Sequence, residues 1–208
     1  MFAQTIARAA WHEIERIGQI AAERDDAWAV PRVSAEFLHS LVLAGGFRRG
    51  LEIGTSYGFS GLWLGAALQR NGGALFTIDN DAAKVAFARE AFGRAGLADT
   101  VHAVLGAAEE VLPETDGPFD FVFLDAEKKS TRRYFDLIWP LLAHRATIVT
   151  DNVTSHAEEL AEFVAYLRQH PQLCSTLVPL GSGLQLTIKL DAYGAPATAT
   201  LDGADWVI

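Results

Sequence analysis

Hydrophobic positions change period several times along the chain, and each change marks an element. Over 5–25 they fall at Ile6, Ala10, Ile14, Ile17 and Ala21, a helical spacing with charges on the opposite face. Trp28-Ala29-Val30-Pro31 breaks that pattern. A second helix is predicted over 34–44, with Ser34 as its N-cap and Gly45-Gly46 as its stop. From Arg49 onward, short apolar runs alternate with helical stretches. Strands are predicted over 49–53, 74–79, 101–105, 119–125 and 146–151. Helices are predicted between and after them, over 58–68, 81–95, 107–112, 134–142 and 158–170. Two last strands, over 173–178 and 184–190, are joined by Pro179-Leu180-Gly181-Ser182-Gly183, a hairpin-like return that makes the last strand antiparallel.

Strand and helix alternating in this way predict an α/β fold: a doubly wound, mostly parallel seven-stranded sheet with helices on both faces. The chain reads as one domain, with N-terminal helices over 1–46, a core over 47–190 and a tail over 191–208. In such sheets the ligand lies beyond the carboxyl ends of the strands. Those ends are Glu52 to Gly54, Asp79, Gly106, Asp125 and Asp151, and four of the five carry or adjoin an acid.

Composition narrows the partners. The 208 residues carry 17 Lys+Arg against 26 Asp+Glu, a net charge of −9. That balance argues against nucleic acid and against an anionic membrane surface as partners. The lone Cys174 excludes an internal disulfide and a cysteine-based zinc site. The first residues have no basic run followed by an apolar core, and no stretch approaches about 20 apolar residues, so a cytoplasmic protein is expected.

The strand ends then suggest chemistry. In Glu52-Ile53-Gly54-Thr55-Ser56-Tyr57-Gly58-Phe59-Ser60 the two glycines permit a tight turn, and Ser60 opens a helix whose free amides suit a carboxylate. The spacing is G-x-x-x-G rather than the dinucleotide fingerprint, and no Walker lysine or nucleophile elbow is present. Asp79, 25 residues after Gly54, suits ribose hydroxyls, although an acid here also caps helices, as Asn80 or Asp81 would. Neighbouring strand ends lie about 5 Å apart. Asp125, Asp151 and Asn152 therefore offer three oxygen ligands to one hard cation, or else cap the helices that follow. Lys128 lies three residues past Asp125 and suits general-base work beside such a cation. Ser155-His156-Ala157-Glu158 fits a capping box.

Together these residues resemble the class I S-adenosylmethionine-dependent methyltransferases. More narrowly, 28–189 is similar to the metal-dependent O-methyltransferases around the catechol and caffeoyl-coenzyme A enzymes and their small bacterial relatives. The turn Pro179-Leu180-Gly181-Ser182-Gly183-Leu184 resembles that family's Pro-Val-Gly-Asp-Gly-Leu, with Ser182 in place of the charged residue. The resemblance implies a Rossmann-like fold and S-adenosylmethionine as cofactor. It implies that Glu52, Gly54, Thr55, Ser56, Gly58 and Ser60 form the cofactor loop, with Ser60 on the methionine carboxylate. Asp79 with Asn80 would hold the ribose; Gly106, Ala107, Ala108 and Glu109 would border the adenine; Asp125 and Glu127 would face the methionine end. Asp125, Asp151 and Asn152 would hold magnesium, or calcium or manganese, and Lys128 would be the base. The acceptor would be a small, catechol-like molecule and the assembly a homodimer. A metal-independent methyltransferase and a non-catalytic S-adenosylmethionine-binding protein are the alternatives. A nucleic-acid methyltransferase is disfavoured, because Asp125-Ala126-Glu127-Lys128 stands where an Asn/Asp-Pro-Pro-aromatic stretch would be needed.

Overall fold

A computed structural model describes residues 4–190; the predicted tail lies outside the described residues. Seven strands form one sheet: β1 (Arg49–Ile53), β2 (Ala74–Asp79), β3 (Val101–Leu105), β4 (Phe119–Leu124), β5 (Leu142–Thr150), β6 (Leu173–Val178) and β7 (Leu184–Lys189). Their order is β3-β2-β1-β4-β5-β7-β6. The strands β3 to β5 pair in parallel, and β7 runs antiparallel to both of its neighbours. The helices are α1 (Arg8–Ala22), α2 (Arg32–Gly45), α3 (Phe59–Arg70), α4 (Ala82–Arg94), α5 (Ala108–Val111), α6 (Thr131–Ile138) and α7 (Ala157–Gln169). The expected fold class is the observed one.

The period-2 alternation of β4 builds two cores. Phe121 and Phe123 point into a layer formed by α1 to α4, while Val122 and Leu124 point into a second layer with α5 and α6. Both faces of the strand are therefore covered, which is why its sequence is almost wholly apolar. The apolar stripe of α1, with Ile14 and Ile17 fully buried, packs within the first layer against α3 and α4.

Several boundaries differ from the sequence pattern. The second helix starts at Arg32 with Pro31 at its N-cap, a residue that loses nothing at a position with no intrahelical donor bond. Ser34 is buried inside the first turn and does not cap. The fifth strand begins at Leu142 rather than 146, because Leu142 already pairs with Phe119 across a register shift. The sixth helix occupies 131–138 instead of 134–142. The capping box does not form: His156 occupies the N-cap of α7, and Ser155 turns back to Asn152.

The sheet ladder continues one residue past the strands, and this positions the loops. The N–H groups of Gly106, Gly54, Asp125 and Asp151 donate to the carbonyls of Asp79, Ile78, Ile53 and Leu124, at 2.9–3.0 Å. The first residue of each loop is thus held in register. Strand order reverses between β1 and β4, which is the switch point where such sheets bind ligands.

Candidate active site

A cavity of about 930 Å³ opens over the carboxyl ends of the parallel strands. Gly54, Thr55, Ser56 and Ser60 reach it from the loop after β1, and Asp79 and Asn80 from the end of β2. Gly106, Ala107, Ala108 and Glu109 line it after β3. Asp125, Glu127 and Lys128 line it after β4, and Asn152 and His156 after β5. Three of the residues expected there lie outside its wall: Glu52, Gly58 and Asp151.

Gly54 sits at φ +105, and a Cβ there would stand 2.0 Å from the carbonyl oxygen of Asp125. Only glycine lets β1 and β4 release their loops side by side at this point. Ser56 follows at φ +44; its N–H donates to Asp79 Oδ2 at 2.7 Å. The Asp81 N–H donates to Asp79 Oδ1 at 2.9 Å. Each carboxylate oxygen of Asp79 therefore holds one backbone donor and keeps a further lone pair for a ligand hydroxyl. The capping work at α4 falls to Asp81, which accepts from the N–H groups of Ala83 and Lys84. Gly58, at φ +88, is the N-cap of α3 and packs against Ala88 and Phe92.

Glu52 lies beneath this loop with none of its surface exposed. Its Oε2 accepts from Thr77 Oγ1 at 2.7 Å, and the Thr77 and Thr55 hydroxyls are 2.6 Å apart. Burial pushes its carboxyl up to about 7, opposed by the Ser60 and Thr77 hydroxyls and helped by the charges of Asp125 and Asp79. The glutamate thus ties the turn to β2 from behind and does not face the cavity.

The second cluster is acidic. Asp125 Oδ1 accepts from Lys128 Nζ at 3.0 Å, and both side chains are mostly covered, at 14% and 15% exposed. Burial raises the Asp125 carboxyl to about 6; Lys128 pulls it down and Asp151 pushes it up. Asp151, 1% exposed, accepts from Ser182 Oγ and from the N–H of Asn152. Asn152 adopts φ +66, a left-handed conformation that asparagine tolerates better than most residues. Its amide Nδ2 donates to Ser155 Oγ at 3.2 Å.

This donor set fits a hard divalent cation. Among the described residues no group of three His, Cys, Asp or Glu side chains is placed to hold a metal. Two carboxylates and an amide oxygen are what magnesium or calcium takes, with water completing the shell. A cation bound here would also offset the burial of the Asp125 carboxyl and its repulsion by Asp151. Glu127 is more exposed, and its Oε2 accepts from Ser130 Oγ at 2.8 Å.

The outer wall is a strap over 24–30. Ser56 Oγ donates to the Ala27 carbonyl at 2.7 Å, Tyr57 Oη to Asp26 Oδ2 at 2.9 Å, and Lys84 Nζ to the Asp26 carbonyl at 2.7 Å. Trp28 sits at φ +44 and is 79% exposed, with the Lys84 ammonium 4.4 Å from its ring. The network through Asp26, Tyr57 and Lys84 was not visible, because no local pattern marks a contact between a loop and residues 31 or 58 positions away.

Known proteins resemble this chain in sequence and in fold. The family described as a methyltransferase domain matches residues 51–153. A catechol O-methyltransferase of Mycobacterium tuberculosis is 39% identical over 150 residues, covering 68% of this chain and 67% of the relative. The chain belongs to the S-adenosylmethionine-dependent O-methyltransferases. A catechol O-methyltransferase of Niastella koreensis is 38% identical over 116 residues, which span 54% of this chain and about half (52%) of that relative. The O-methyltransferase of Bacillus cereus, solved in complex with SAH, superposes with a TM-score of 0.78 at 28% identity, covering 86% of this chain and 90% of that one. Among the described residues, no helix is long and apolar enough to cross a membrane.

Proposed function

We propose that this chain transfers the methyl group of S-adenosylmethionine to a hydroxyl of a small acceptor with two adjacent oxygens, a catechol-like molecule, with the aid of a divalent cation. The observation that carries the reading is the corner where Asp125, Lys128 and Asn152 face the cavity on its β4–β5 side, next to the loop after β1. That two similar relatives, those of Mycobacterium tuberculosis and Niastella koreensis, are named catechol O-methyltransferases supports the acceptor class.

Each residue then has a task. Asp79 and Asn80 bind the ribose, and the backbone from Gly54 to Ser60 shapes the site for the methionine end, with Ser60 on its carboxylate. Residues 106–109 border the base. Asp125, Asp151 and Asn152 hold the cation. A cation held there would supply Lewis-acid chemistry, lowering the pKa of an acceptor hydroxyl. Lys128 takes the hydroxyl proton at Nζ. Trp28, Tyr134 and His156 shape the acceptor side and keep the reacting oxygen aligned with the methyl group. A homodimer, which the resemblance implies, belongs to the same proposal.

The test is a methyl-transfer assay on catechols, flavonoids and hydroxycinnamoyl esters with labelled cofactor. Turnover is expected to stop after complete chelation and to return with magnesium. Undiminished turnover without metal would replace this reading by a metal-independent methyltransferase. Cofactor binding with no turnover on any acceptor, with or without metal, would leave a binding protein.

A further inference from the structure

The turn between β6 and β7 reaches back 31 residues to the loop after β5. Ser182 Oγ donates to Asp151 Oδ1. The carbonyl of the same serine accepts from the N–H groups of Thr154 and Ser155, each at 3.0 Å, and the Gly183 carbonyl accepts from the Val153 N–H at 3.0 Å. Gly183 is at φ +87, and a Cβ there would stand 2.0 Å from Thr154 Oγ1, so turn and loop are pressed together. The Asn152 N–H, at 2.7 Å, falls on the same Asp151 Oδ1 as the Ser182 hydroxyl. Among the described residues, no hydrogen bond falls on Asp151 Oδ2.

We propose that Ser182 is a positioning residue for the cation site: its hydroxyl locks Asp151 Oδ1 and so leaves Oδ2 to the metal. The proposal rests on the cation reading above. Its physical basis is the arrest of a rotor. A buried aspartate turns about two side-chain bonds; two donors on one oxygen fix which oxygen is presented, and the ordering cost is met before the ion arrives. Ser182 does this as a neutral donor, so the turn adds no third negative charge to the Asp125–Asp151 pair. Its carbonyl meanwhile fixes the backbone just beyond Asn152, so one residue holds both the side chain of the first ligand and the loop that follows the second.

The experiment is a titration of the metal-free full chain with manganese, followed by the paramagnetic resonance of the free ion, on wild type, Ser182→Ala and Ser182→Thr. SAH affinity by calorimetry and thermal melting serve as controls for the fold. Ser182→Ala is expected to weaken manganese binding roughly 10–100-fold with SAH affinity unchanged, and Ser182→Thr, which keeps the hydroxyl, to restore it. Wild-type manganese affinity in Ser182→Ala would overturn the positioning role and leave the cation reading intact. A wild-type chain that takes up no manganese would overturn both. Parallel loss of melting temperature, SAH affinity and manganese affinity in Ser182→Ala, without rescue by threonine, would assign Ser182 to packing and overturn the proposal.

Discussion

The Lys128 ammonium lies 3.0 Å from Asp125 Oδ1 and faces the same cavity. Lys128→Met is expected to lower kcat by about 10²–10⁴, the usual range for losing a positioned base, with SAH affinity by calorimetry unchanged. A comparable fall in SAH affinity would place Lys128 in cofactor binding instead. Glu52 makes a prediction about pH. Its carboxyl titrates near 7 in the fold against 4.5 as a free side chain, so the folded state keeps a proton that the unfolded state gives up. Its contribution is therefore full below pH 4.5 and is lost as pH rises to about 7, roughly 3 kcal/mol in all. Glu52→Gln should flatten that slope, so that thermal melts at pH 5 and pH 8 show the variant gaining on wild type at the higher pH. An equal difference at both values would sink the assignment. The positions of Asp79, Asp125, Lys128 and Asn152 were readable from the sequence, because an apolar run ends where a loop begins. The direction in which a strand-end side chain points was not. Glu52 and Asp151 are buried outside the cavity wall, and periodicity cannot separate them from the residues that line it.

Among the elements, the parallel strands were legible because each is a short apolar run closed by a polar break. Boundaries failed where tertiary pairing extended an element, as in β5, or where a loop turned a capping serine elsewhere, as at Ser155. The β6–β7 turn could be recognised as a turn, but its work on the Asp151 loop depends on contacts far apart in sequence. Its close fit yields a prediction at this scale. Gly183→Ala places a Cβ against Thr154 at a φ that suits glycine, and should destabilise the protein by about 1–3 kcal/mol in chemical denaturation. A stability equal to wild type would mean that the turn can move off the loop freely.

For the whole molecule, the net charge of −9 first served to exclude polyanionic partners, and part of it is now located. Asp79, Asp125 and Asp151 cluster at one end of the sheet, where a sulfonium and a divalent cation are proposed to bind. The apolar stripe of α1 is used inside the chain. The proposed homodimer must then draw on other surfaces. Light scattering at micromolar concentration should give twice the 22.5 kDa chain mass, and the mass of one chain would reject it.

The clamp on Asp151 also carries a consequence for synthesis. A nascent chain that has emerged as far as Gln169 already contains the cofactor loops and all three proposed cation ligands. It does not yet contain Ser182 or β7, the strand that covers the open edge of β5. The proposed ion half of the site therefore depends on residues made later than its own ligands, whereas the proposed nucleotide half does not. A chain ending between 170 and 182 would carry all three proposed cation ligands yet lack both the Ser182 clamp and the strand that covers the edge of β5.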